Sequence, residues 1–400
     1  MRRVVVVGAS AAGLTTAEAL RRQGFDGLLT MIGDERHPPY DRPPLSKQIL
    51  TGQWGPEHLR LRPESDIEAL DLDLRLGVAA AGVDRARRTV ALADGSTVSY
   101  DTLIIATGVR PRPFPGGRGI AGVHVLRTQE DAVALRDRLG SGRRLVIIGA
   151  GFVGTEVAAA ARRRDVDVTL VESAAQPLAR IIGRDAGRFL TGIHRERGVR
   201  ILTGVRAAAL DTADDAVSGV RLEDGRLLPA DDVLVAIGSL PNTDWLRGSG
   251  LDMGDGLVCD AYSRCAPGVH AVGDVARWFN PLFGCEMRVE HRTTASEQGM
   301  ALARNLLNPA DAQPFAPVPY FWTDQYEMRV QAHGYLPGHA ESAVLDGDLA
   351  QGRALIGYSR GRHLTGVLAI GMPFGAVRAW RTAVARRTEW AAAASLPAPA

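Results

Sequence analysis

Two short glycine turns carry the strongest chemical signal in the chain. Gly8-Ala9-Ser10-Ala11-Ala12-Gly13 follows the apolar run 4–7, and Gly149-Ala150-Gly151-Phe152-Val153-Gly154 follows the apolar run 145–148. Each opens a stretch with helical spacing. Glycine there lets the backbone turn tightly and approach a diphosphate, while the unpaired N–H groups of the following helix face the charge. An acidic residue stands downstream of each turn, Glu35 after the run 28–33 and Glu172 closing the run 166–171. At that distance a carboxylate accepts both hydroxyls of an adenosine ribose. One chain is therefore expected to hold two dinucleotides. The turns differ, with Ser10 where the usual pattern has its middle glycine and a complete pattern in the second. No arginine or lysine lies between Glu172 and Arg180 to neutralise a 2′-phosphate, so the second site reads as one for NADH rather than NADPH.

The elements that must position these residues read as a repeat. Strand 4–7, helix 13–23 and strand 28–33 lead to the stretch 37–47, where four prolines exclude regular structure and make a rigid loop carrying Arg42 and Lys47. Strand 102–106 ends in Ala106-Thr107-Gly108-Val109-Arg110, and the Pro/Gly-rich stretch 111–119 reads as a crossover. The second half repeats strand, phosphate turn and helix, then strand 232–237 ending in Ile237-Gly238. Strand 268–272 runs into Gly273-Asp274, and a helix 294–307 begins with Thr294 and Glu297 at capping-box spacing. From 317 the pattern changes to short strands (328–332, 354–359, 364–370) and a closing helix 374–388. The expected architecture is α/β, with two interleaved Rossmann-like dinucleotide-binding domains of the glutathione-reductase kind and a C-terminal α+β domain. Residues 1–112 and 241–316 would form the first domain, 113–240 the second and 317–390 the third, with 391–400 a frayed tail.

Composition excludes several classes. The 400 residues are 46% hydrophobic and 23% charged with a net charge of +2, which gives no reason to expect nucleic-acid binding. No apolar run approaches a membrane span. The start Met1-Arg2-Arg3 and its valines superficially resemble a signal peptide, but the glycine turn gives that stretch a structural use, and a cytoplasmic protein is expected. Cys259, Cys265 and Cys285 form neither a C-x-x-C pair nor a metal spacing and read as core fillers. No metal site is expected.

Together these motifs closely resemble the FAD-dependent ferredoxin reductases, over almost the whole chain. The resemblance rests on Gly8–Gly13, the loop from Pro39 to Lys47, Ala106-Thr107-Gly108, the second glycine turn with Glu156, Gly273-Asp274, Arg288-Val289-Glu290-His291, Glu297-Gln298-Gly299 and the run from Pro319 to Tyr326. It implies FAD in the first domain, NADH in the second and a C-terminal interface domain. It also implies that Glu35 holds the FAD ribose, Arg42 its pyrophosphate and Asp274 a ribitol hydroxyl, with Gly8, Ser10, Ala11, Ala12, Gly13, Ala106, Thr107, Gly108, Arg110, Gly273, Glu290, His291 and Arg292 lining that site. Gly149, Gly151, Phe152, Val153, Gly154, Glu156, Glu172, Ile237 and Gly238 would line the NAD site. Lys47 is the residue nominated for chemistry. In similar enzymes it lies against the flavin N5 edge and pairs with a glutamate at the position of Glu156, where an ammonium stabilises electron density arriving with the hydride. The helix from Thr294 is expected to aim its positive end at the flavin pyrimidine. No cysteine precedes residue 259, so the redox-active thiol pair of the disulfide-reducing flavoproteins is missing and thiol turnover is not expected. His291 lines the pocket and His124 is structural on this reading.

One position departs from the family. Arg292 stands where tryptophan usually follows the Glu-His pair. Arginine makes that face wetter and more positive, which fits stronger docking of an acidic ferredoxin, a raised flavin potential or a changed acceptor. Residues 360–389 add six arginines (Arg360, Arg362, Arg378, Arg381, Arg386, Arg387) against Glu389. The resemblance implies an NADH-dependent reductase of an iron–sulfur ferredoxin that serves a cytochrome P450 or a Rieske-type oxygenase, with the partner docking near Arg292 and the arginine-rich end. It leaves monomer or homodimer open. Two alternatives remain at this point: an NADH oxidase or reductase of a small quinone-like acceptor, and a flavin-bearing binding protein similar to apoptosis-inducing factor.

Overall fold

The structure, a computed structural model, describes residues 1–395 apart from the side chain of Phe374. The chain forms two compact units, one of Met1–Asp41, Leu59–Arg110 and Leu240–Pro319, the other of Arg42–His58, Pro111–Ser239 and the chain from Tyr320 onward. Residues 42–58 thus interrupt the first unit in sequence and belong with the second.

The first unit is built on a six-stranded sheet in the order Arg264–Ala266, Val269–Ala271, Thr102–Ile105, Arg3–Val7, Leu28–Gly33 and Asp73–Leu76. All neighbours are parallel except the first pair. Four consecutive valines, Val4 to Val7, are buried because a parallel strand is covered on both faces, which is why the run shows no alternation. The helices Ala11–Arg22 and Arg292–Leu307 pack with Val4, Val6, Leu20, Ile104 and Leu302 into one core.

The second unit repeats the plan on a five-stranded parallel sheet, Arg200–Thr203, Asp167–Glu172, Arg144–Ile148, Asp232–Val235 and Val123–His124. Its C-terminal part is a five-stranded antiparallel sheet, Tyr320–Gln325, Met328–Gly334, His363–Ile370, Arg353–Arg360 and Glu341–Asp348, followed by the helix Phe374–Ala385. Among the described residues no helix is long and apolar enough to cross a membrane.

Several local expectations need correction. The proline loop contains a 3-10 turn, Pro43–Ser46, and one helical turn, Gln48–Thr51. Prolines at the first two positions of a helical turn give up N–H groups that have no partner there anyway. The helix at 292 starts two residues earlier than expected, with His291 at its cap and no side-chain cap bond, so Thr294 and Glu297 form no capping box. Of the cysteines only Cys259 is buried, while Cys265 and Cys285 are half-buried. The expected tail begins with a helical turn, Trp390–Ala393, held by burial of Ala393 and by Trp390 Nε1 donating to Glu341 at 2.9 Å; residues 396–400 lie outside the described residues.

Candidate functional site

In the first unit, Gly8 sits at φ +122°, and a Cβ there would stand 2.1 Å from the Ala106 carbonyl oxygen. Its N–H bonds Ile32 O at 2.7 Å, so the turn is pinned to both neighbouring strands. The second unit reproduces this arrangement. Gly149 has φ +103°, a Cβ would meet Ala236 O at 2.3 Å, and its N–H bonds Val171 O at 2.8 Å. Ser10 and Gly151 cap the two following helices without a side-chain bond, and neither helix has an acid in its first turn. The first turn of each helix therefore presents N–H groups to an anion with no acid of its own competing. The internal repeat seen in sequence is one of backbone geometry.

Around the first turn, Gly273 ends the approach of strand Val269–Ala271, with its missing Cβ position 3.0 Å from Ala12 and 3.5 Å from Ala295. The Gly273-Asp274 turn and the starts of two helices thus converge. Gln298 Oε1 accepts the Gly273 N–H at 2.9 Å, and Gln298 Nε2 donates to Ser263 Oγ at 3.0 Å. Glu35 accepts a short hydrogen bond from the Tyr40 hydroxyl. Arg292 is held rather than projecting freely: its Nε reaches Asp41 Oδ1 at 2.7 Å and one terminal nitrogen reaches Ser296 Oγ at 2.5 Å. Glu290 pairs with Arg288 at 2.8 Å. His291 is half-buried, and desolvation lowers its pKa to about 4, so it is neutral at pH 7. Arg110 is committed to Asp244, Asn242 Oδ1 and the Pro241 carbonyl, while Thr107 and Asn242 exchange bonds of 2.9 Å. These contacts fix the chain after strand Thr102–Ile105.

In the second unit, Glu172 turns one oxygen to the Ala150 N–H at 2.9 Å and the other to the Ala174 N–H at 2.8 Å. The carboxylate thus lies against the glycine turn. Phe152 packs on Phe321 with ring centres 5.2 Å apart, whereas Val153 is exposed. Ile237 is half-buried, and the Gly238 carbonyl accepts from Arg112 N at 2.9 Å. Arg42 donates to the Arg127 carbonyl at 2.7 Å.

A buried polar cluster of this unit joins three stretches distant in sequence. Lys47 Nζ lies 2.7 Å from Glu156 Oε2, with only 12% and 6% of the two side chains exposed. Glu156 also accepts a short bond from the Ser46 hydroxyl and one of 2.6 Å from Thr323 Oγ1. Lys47 donates to the Pro43 carbonyl at 3.1 Å. The proline turn, the helix Phe152–Arg162 and the strand Tyr320–Gln325 supply these groups, and Lys47 and Glu156 border a cavity of about 240 Å³ that also touches Gln48, Arg163, Tyr326 and Arg329. Sequence reasoning named Lys47 and Glu156 but missed Ser46, Thr323, Tyr40, Asp41 and Gln298. All five lay inside quoted motifs, Tyr40, Asp41 and Ser46 in the loop from Pro39 to Lys47, but none carries a spacing signal that singles it out.

Comparison with known proteins agrees with this geometry. Residues 2–299 match the family model described as "Pyridine nucleotide-disulphide oxidoreductase", and residues 320–398 match "Reductase C-terminal". The chain is 39% identical to the "Probable ferredoxin reductase CtmF" of Castellaniella defragrans over 88% of this chain and 86% of that one. It is 41% identical to the "Anthranilate 1,2-dioxygenase system ferredoxin--NAD(+) reductase component" of Burkholderia cepacia over 87% and 85%. Its structure superposes with a TM-score of 0.92 on the reductase in the "covalent putidaredoxin reductase-putidaredoxin complex", at 34% identity over 96% of this chain and 93% of that one. Two glycine turns of one geometry, the Gly273-Asp274 turn and the matched C-terminal sheet place this chain in the pyridine nucleotide-disulphide oxidoreductase family, among the ferredoxin reductases.

Proposed function

We propose that the chain is an NADH-dependent ferredoxin reductase, its first unit holding FAD and its second NADH. The observation that carries the reading is the pair of turns in which a Cβ at Gly8 or Gly149 would stand 2.1 or 2.3 Å from a carbonyl oxygen, each opening a helix without a first-turn acid. Such cradles fit two diphosphates. FAD, when bound, accepts the two electrons of a hydride and releases them one at a time.

The residues have distinct tasks on this reading. Glu35, Asp274 and the Gly273 turn hold FAD in the first unit. Glu172 receives the ribose of NADH. Lys47 supplies positive charge for the hydride passage, and Glu156, Ser46 and Thr323 hold that ammonium in one orientation. The six arginines between 360 and 389 are all exposed and form the positive face for an acidic ferredoxin, which in turn serves a P450 or Rieske-type oxygenase. The protein works in the cytoplasm.

Anaerobic stopped-flow mixing with NADH and then NADPH, followed by a [2Fe–2S] ferredoxin and cytochrome c, tests this. Rapid bleaching by NADH, with cytochrome c reduction only after ferredoxin is added, is the expected result. Bleaching with no ferredoxin effect would transfer the assignment to a small-molecule acceptor. Arg292 would then be the residue to change.

A further inference from the structure

Cys259 ends the strand Gly256–Cys259 and Cys265 lies in the strand Arg264–Ala266, and their sulfurs are 3.0 Å apart. That is about 1 Å more than a disulfide bond of about 2.05 Å. The chain between them is tightly organised. Asp260 accepts from the backbone N–H groups of Tyr262 and Arg264 at 2.9 and 3.0 Å and from Arg264 Nε at 3.0 Å. The Ala261 carbonyl accepts from Phe315 N at 2.7 Å, and the Ser263 carbonyl from Ala271 N at 3.0 Å. Ser263 itself is buried and sits at φ +61°, a left-handed conformation that a serine adopts only when its surroundings impose it. Five bonds made by the five residues 260–264 therefore hold the two thiols in contact.

We propose that Cys259 and Cys265 are a peroxide-sensitive dithiol that closes to a reversible disulfide. Cys265 is the more exposed sulfur and reacts first: its thiolate attacks one oxygen of hydrogen peroxide, forming a sulfenic acid and releasing hydroxide. The Cys259 sulfur then displaces that oxygen as water, so that two thiols and one peroxide become one disulfide and two waters. The contact with Cys265 and burial both push the Cys259 thiol upward, which makes it the resolving partner rather than the attacking one. A dithiol reductant returns the pair to thiols. This site is separate from hydride passage and does not rest on the function assigned above.

The loop that the disulfide would close is tied to the Gly273 turn. Ser263 Oγ receives Gln298 Nε2, and Gln298 Oε1 receives the Gly273 N–H, all within the buried core. Drawing Cys259 and Cys265 together displaces Ser263 and with it the acceptor that pins Gly273.

The test uses the purified holoprotein exposed to a small molar excess of hydrogen peroxide, quenched by alkylation with N-ethylmaleimide and digested with trypsin. Cleavage after Arg264 separates the two cysteines into peptides 248–264 and 265–277, so the disulfide appears as a linked pair of peptides. The expected result is an intact mass lower by two hydrogens before alkylation, two fewer maleimide adducts, a linked peptide pair reversed by dithiothreitol, and an adduct retained on Cys285. In the same samples, faster amide exchange in 265–277 after oxidation is expected. Alkylation of both thiols after peroxide, or oxidation of Cys265 to sulfinic acid with no linked peptide, would overturn the proposal. Unchanged exchange in 265–277 would overturn the link to the Gly273 turn. The variant Cys265→Ser should show neither the linked pair nor the change in exchange.

Discussion

At the scale of single residues, the buried pair of Lys47 and Glu156 dominates. Removing one member of such a pair leaves an uncompensated charge and costs roughly 3–5 kcal/mol, whereas removing both costs much less. Glu156 retains two hydroxyl donors when Lys47 is lost, so its penalty is offset in part. Lys47→Met and Glu156→Gln should each lower stability, and the double variant should be more stable than the sum of the single losses requires. A double-mutant cycle in urea measures that coupling, and additive losses would sink it. Flavin bleaching by NADH should slow about 100-fold in Lys47→Met, the size of effect seen when one preorganised electrostatic group is lost. The types of these two residues and the motifs around them were legible in the sequence. Ser46 and Thr323 were not, because a hydroxyl donor to a buried carboxylate needs no periodicity and arrives from whichever segment the fold brings near.

Secondary structure elements were legible wherever the burial pattern was uniform. The runs 4–7, 145–148 and 233–235 read directly, since parallel strands covered on both faces are near-continuously apolar. The edge strand Glu341–Asp348 was missed because its first four residues are exposed and its sequence carries acids and glycine rather than alternation. The helix at Arg292 shows the opposite failure, in which a Thr-x-x-Glu spacing fitted a cap at Thr294 that the chain makes three residues earlier, at His291. Asp232 illustrates how an element end is anchored. It is 1% exposed and accepts from His124 at 2.9 Å, Arg138 at 2.8 Å and Arg143, tying strands Asp232–Val235 and Val123–His124 to the helix Gln129–Arg138. Asp232→Ala removes the shared acceptor of His124, Arg138 and Arg143, and because the two arginines remain open to water the loss should be about 1–3 kcal/mol. Because the carboxylate is buried, that loss should change little with salt, in contrast to substitution of an exposed acid. Urea titrations at low and high ionic strength distinguish the two.

For the molecule as a whole, the exposed arginines between 360 and 389 stand against a near-neutral net charge of +2, so any electrostatic steering is local. Second-order ferredoxin reduction should slow at least tenfold as salt rises from about 0.05 to 0.5 M, where the Debye length shrinks from roughly 14 to 4 Å. Flavin bleaching by NADH should change far less over the same range. Stopped-flow traces at each salt concentration check both, and equal sensitivity would remove the arginine face from the docking argument.

Acid stability is set by desolvated histidines before it is set by carboxylates. Burial lowers His270, His291 and His333 to about 4, against an ordinary value of 6.5. Above pH 6.5 both folded and unfolded chains keep them neutral, and their contribution is constant. Between 6.5 and 4 the unfolded chain binds protons that the folded chain refuses, so stability falls as pH falls. At 1.36 kcal/mol per pKa unit, each histidine accounts for about 3 kcal/mol across that window. Asp231 acts in a lower window: hydrogen bonding and charge from Arg144 hold it at about 2, so its contribution is lost only as pH falls from 3.8 toward 2. The steep loss should therefore precede carboxylate titration. Replacing His291 with glutamine, which cannot take up a proton, should reduce the proton uptake on unfolding at about pH 5 by nearly one proton. Urea midpoints measured from about pH 7 to pH 4 for the two proteins give that number, and parallel curves would mean that His291 is charged in the folded protein.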